Sequence, residues 1–89
     1  RKTEVRPMEF KKGQVVMSKA GRDKGRLLAA VRFDGKRVFL CDGKERPLER
    51  AKAKNLRHVE FTPMFIDEAS METDRKLRKA LKQLNDLKR

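Results

Sequence analysis

The chain has 89 residues and a mass of 10.4 kDa, which is one domain burying roughly 60–65% of the surface its unfolded form exposes, so a large two-lobed catalytic cleft is excluded. Its 25 Lys and Arg against 13 Asp and Glu leave a net charge of +12, above the magnitude of about 2–8 usual for small soluble domains. One Cys and one His supply neither a zinc site nor a disulfide framework, and no metal or cofactor is expected.

Residues 1–9 read as an N-terminal tail. No apolar run follows Arg1-Lys2-Thr3-Glu4, so no secretory signal is expected and a cytoplasmic location is. Residues 10–61 read as all-β. Gly13 to Ser18 is β-branched and apolar, with period two through Val15 and Met17. Lys19 to Gly25 is a loop with two glycines four apart. Arg26 to Phe33 is the second strand, with Leu27, Ala29, Val31 and Phe33 on one face. Its apolar run Leu27–Val31 is far short of the ~20 residues that span a bilayer, and no membrane partner is expected. Asp34-Gly35 marks a tight hairpin in which both residues tolerate positive φ. The return strand, Arg37 to Cys41, places Val38 and Leu40 opposite Phe39. Asp42-Gly43 is a second turn of the same kind.

Glu45 to Asn55 fits either a short helix or turn, or a strand followed by a basic loop. Pro47 argues against a central strand. Leu56, His58 (or Val59) and Phe61 give the last strand. The expected fold is mainly β, five strands curled into a small barrel that removes exposed edges. The five Phe recur where such a barrel needs filling, and Cys41 reads as a buried thiol. Residues 62–69 read as a linker packing back on the barrel. Residues 70–89 read as an amphipathic α-helix, in which Leu77, Ala80, Leu81, Leu84 and Leu87 form one stripe. Ser70 or Thr73 is its cap. The stripe fits docking on the barrel and docking on a partner equally well. As an accessory, it is expected to be dispensable for barrel folding when the chain is shortened at Ile66.

The charge is unevenly placed. Residues 1–10 carry +1, 11–59 carry +10, 60–74 carry −5 with no Lys or Arg, and 75–89 carry +6. A concentrated positive field attracts a polyanion, and nucleic acid is the obvious one. Were about six to eight cations to touch phosphates, binding would weaken by roughly 10³–10⁴ between 50 and 200 mM salt. The candidate contacts are Lys11, Lys12, Lys19, Arg22, Lys24 and Arg26, then Lys44, Arg46, Arg50, Lys52, Lys54, Arg57 and His58. Gly21 and Gly25 let a phosphate or base edge approach the loop backbone, although turn chemistry alone also explains them. Gly21-Arg22-Asp23-Lys24-Gly25 is no phosphate-binding P-loop, since no Gly-Lys-Ser/Thr follows. Ser18 and Ser70 sit in no nucleophile motif, and His58 has no catalytic partner in sequence. Neither an enzyme nor a small-molecule substrate is expected.

Gly13-Gln14-Val15-Val16 followed by Ala20 to Val31 resembles a KOW motif, in which a strand and a glycine-ended loop lead into a second apolar strand. Gly25 matches the signature glycine. The similarity continues through Arg37 to Gly43 and the basic stretch to Val59. Over residues 8–61 the chain resembles archaeal and eukaryotic large-subunit ribosomal proteins of the fourteen type, and short Gram-positive KOW proteins similar to them. That resemblance implies an SH3-like barrel binding ribosomal RNA, with the family's loop contacts at Lys19, Arg22, Lys24 and Arg26. It also implies neighbouring ribosomal proteins as further partners. The ribosomal relatives continue into a long basic helical extension where the sequence here has one short helix, and the resemblance assigns no role to the acidic segment 60–74. The competing expectation is a protein-interaction module that docks on transcription or translation machinery through the barrel or the helix.

Overall fold

The computed structural model describes residues 10–87; the expected tail and the terminal Lys88 and Arg89 lie outside them. Five antiparallel strands form one sheet: β1 (Gln14–Ser18), β2 (Leu27–Phe33), β3 (Arg37–Cys41), β4 (Lys52–Asn55) and β5 (Val59–Phe65). Their order is β4-β3-β2-β1-β5, and α1 (Asp74–Leu87) follows. The sheet curls into a barrel-like form. Its end strands, β4 and β5, share no backbone ladder among the described residues, so the expected removal of edges is incomplete. A side chain bridges part of the gap: Lys54 of β4 reaches the Ser18 hydroxyl and the Ala20 carbonyl beyond β1, both at 3.0 Å.

Alternation sorts β1, β2 and β3 into two apolar faces. Val16, Leu28, Ala30, Val38, Leu40 and Val59 fill the concave interior, with Phe10, Phe33, Leu56 and Phe61 against them. Val15, Leu27, Ala29 and Cys41 face outward, under Ile66, Met71, Leu77 and Leu81. Phe33 was expected beside Leu27 and Ala29, yet it joins the interior. The cause is a register shift between Ala30 and Arg32, which turns the remainder of β2 over.

One open reading is resolved and two expectations are corrected. The ambiguous 45–55 segment is one 3₁₀ turn, Leu48–Arg50, followed by β4. The supposed linker is largely strand, because β5 runs on to Phe65 by bulging. Thr62 holds that bulge: its hydroxyl donates to the Val15 carbonyl at 2.7 Å, and its own carbonyl accepts from buried Gln14 at 3.1 Å. Pro63, which has no N–H to pair, sits there without loss. The Asp-Gly turns are also built differently, since no non-glycine residue has positive φ among those described. Instead Asp34 and Asp42 each accept two backbone N–H groups through one carboxylate oxygen, the Asx-turn solution.

The helix starts at Asp74 rather than Ser70, because a 3₁₀ turn, Glu68–Met71, comes first and buries Met71. Thr73 is the cap, its hydroxyl accepting from the Lys76 N–H at 3.1 Å. The apolar stripe closes on the chain's own sheet: Leu77 and Leu81 are buried, whereas Leu87, at 79% exposed, is not part of the contact. Polar groups fix the docking at both ends. Asp74 accepts from the Leu48 N–H at 2.7 Å. Asn85 accepts from the Leu27 N–H at 2.8 Å and donates to the Leu27 carbonyl at 3.2 Å. Between them Gly43 lies so close that a Cβ there would collide with the Asp74 carbonyl of the first helical turn.

Candidate nucleic-acid interface

The loop joining β1 to β2 is drawn tight at its base. Ser18 donates its N–H to the Arg26 carbonyl at 3.0 Å, and Gly25 donates to the Ser18 carbonyl at 2.8 Å. Gly25 has φ +86° and open space where a Cβ would project. Conformation alone, without crowding, therefore calls for glycine. Asp23 turns inward from the middle of the loop. Its carboxylate accepts from Lys54 at 2.8 Å and Ser18 at 2.7 Å, and lies 3.3 Å from Arg46. Burial opposes its ionisation. The hydrogen bonds from Lys54 and Ser18 and the charges of Lys54 and Arg46 outweigh that, holding Asp23 below the ordinary carboxylate range. Lys19, Arg22, Lys24 and Arg26 stay exposed, and none has an ion-pair partner among the described residues.

The other expected contacts fall into distinct places. Arg46 and Lys54 brace Asp23 with side chains only 19% and 16% exposed, so they shape the loop more than they face outward. Gly21 packs near the same cluster, its Cβ position 3.5 Å from the Lys54 ammonium. Lys44, Arg50 and Lys52 rim a shallow hollow of about 370 Å³ that Arg46 also lines. Arg57 and His58 lie exposed on the 3₁₀ turn Leu56–His58, and the His58 carbonyl accepts from the Lys19 N–H at 2.8 Å. Lys11 and Lys12 precede β1, at the barrel end opposite the loop, and Lys11 stands 6.0 Å over the Phe65 ring.

A concavity of about 900 Å³ opens where the loop end, the Asp42 turn and α1 meet. Lys24, Arg26 and Lys44 line it from the barrel. Arg75, Arg78, Lys79 and Lys82 line it from the helix. These four were absent from the sequence-derived contacts, although their i, i+3, i+4, i+7 spacing sets them on one helical face. That spacing was the available signal.

Phe10, Phe33 and Phe61 pack against the interior, so three of the five Phe serve the core. Phe39 and Phe65 belong to neither core cluster. Phe39 lies under two guanidinium groups, Arg32 at 4.1 Å and Arg37 at 5.6 Å from its centroid. Cys41 is a buried free thiol, and burial pushes its pKa up to about 12. Among the described residues no group of His, Cys, Asp and Glu is arranged to hold a metal ion, and no helix is long and apolar enough to cross a membrane. Compared with known proteins, the chain matches no family model, and no curated protein is significantly similar to it in sequence.

Proposed function

We propose that this chain is an RNA-binding protein of the KOW type. It engages ribosomal RNA in the cytoplasm, as a component of the large subunit or a factor associated with it. The observation that carries this reading is the loop 19–26, whose only acid is turned inward by Asp23's contacts with Lys54, Arg46 and Ser18, while four cations remain outward. An ordinary solvated loop has no need of a nearly buried ionic brace. A loop that must present charge in a fixed shape does, because preorganisation lowers the ordering cost of binding. Phosphates and 2′-hydroxyls are the groups such a loop meets on folded RNA, so recognition is by shape and charge.

Less supports the helix half of the protein-docking reading, since Leu77 and Leu81 of the α1 stripe are buried against the chain's own sheet. Sedimentation of a lysate in a sucrose gradient tests the proposal: the protein should co-migrate with large subunits and wash off with salt. Replacing Lys19, Arg22 and Lys24 together by Ala should weaken binding to ribosomal RNA and flatten its salt slope. Migration at the top of the gradient in low salt, or an unchanged slope, counts against it.

A further inference from the structure

We infer that α1 and the loop side of the barrel are the two walls of one site, and that the cleft between them takes the phosphate backbone of a double-helical RNA segment. This rests on the RNA-binding reading above and adds both a second wall and a substrate class.

The cleft holds seven cationic side chains against two carboxylates, a local excess of five. Both carboxylates are already engaged: Asp42 accepts the Lys44 and Arg46 N–H groups, and Asp86 pairs with Lys82 at 3.2 Å. The helical wall from Arg75 to Lys82 rises about 10 Å. Over that length a nucleic-acid duplex presents roughly six charges, whereas a single strand presents about three. The seven cations stand on two walls, four on the helix and three on the barrel, an arrangement that suits the denser, two-backbone charge of a duplex. No aromatic residue lines the cleft, so it lacks the stacking platforms that hold unpaired bases.

Two features mark the wall as a built one. Gly43, Asp74 and Asn85 fix α1 against the barrel at three points, so its cations stand at a set distance from Lys24 and Arg26. Helix stability also favours acids in the first turn and cations in the last. Arg75 and Arg78 occupy the opening turns, where a purely structural helix gains nothing from them.

The test uses the full chain, a generic 16-base-pair RNA duplex, and one of its strands alone. The variant Arg75→Gln/Arg78→Gln/Lys79→Gln alters exposed positions only, and circular dichroism should report an unchanged fold. Its duplex binding should weaken at least tenfold at 0.1 M salt, with the salt slope reduced by about 2–3, and single-strand binding should change less. The comparison variant Lys19→Ala/Arg22→Ala lies outside the cleft. If it weakens duplex binding while the helix variant binds like the parent, the cleft is overturned and RNA binding stands. If the parent prefers the single strand, the duplex assignment is overturned. If the parent binds neither RNA at 50 mM salt, both readings fall.

Discussion

The two faces of the sheet are covered by different means. The interior is closed by curvature, as β1, β2, β3 and β5 bring Val16, Leu28, Leu40 and Val59 against one another. The outer face cannot cover itself, and Val15, Leu27, Ala29 and Cys41 depend on residues from Ile66 onward. The contrast shows why β2 reads as an unbroken apolar run: both of its faces are buried at Leu27 to Ala30, as in strands packed on two sides. It also makes the helix part of the domain rather than an appendage.

Ending the chain at Ile66 puts that dependence to its hardest trial. It uncovers the outer core, and the expected loss is roughly 4 kcal/mol or more, scaled from the 2–5 kcal/mol of a single buried Leu truncation. A sharp thermal transition retained by the shortened chain would return the helix to accessory status. Leu28→Ala and Leu77→Ala compare the faces directly, at about 2–5 kcal/mol each in urea denaturation. A Leu77 value below about 1 kcal/mol would mean that the helix leaves the sheet readily.

Smaller effects separate the anchors. Asp23→Asn should cost about 1–3 kcal/mol at pH 7, because it leaves Lys54 and Arg46 nearly buried without their counter-charge. The sign of its pH dependence follows from a lowered folded-state pKa. The stabilisation is present above the unfolded value near 4 and is lost as pH falls through the folded one. Parent and variant melting curves should therefore converge in acid. Gly43→Ala and Gly25→Ala both force a side chain to positive φ, costing about 1–2 kcal/mol. Only Gly43→Ala adds a collision with α1, so its melting temperature should fall further. Smallest of all in energy, Cys41 should resist thiol reagents until the protein unfolds, its pKa standing at about 12.

Much of this was legible residue by residue. Alternation and the Asp-Gly punctuation placed β1, β2 and β3 to within a residue, and the leucine spacing placed α1. What escaped depended on contacts distant in sequence. Phe33 changed face because of one register shift, which leaves no mark in composition. β4 has a single half-buried Ala and Lys at its centre, so pairing with β3 decided it and hydropathy did not. In the candidate site the loop was plain, because its glycines and cations are contiguous. Asp23 and Lys54 lie 31 residues apart, and linear charge counting does not reveal that one cancels the other. Nor does it tell which flank of a helix will face which loop, so Arg75, Arg78, Lys79 and Lys82 entered only with the fold.

The bulge at Thr62-Pro63 has an effect on how copies of the protein meet. An open sheet margin invites a visiting strand to zip on, rung by rung. On β5 the visitor finds a missing rung at Pro63 and a kink, with the Thr62 hydroxyl already turned back upon β1. The opposite margin, β4, is four residues long and begins at exposed Lys52, too short to template growth. Both margins are therefore poor templates for the strand of a second copy.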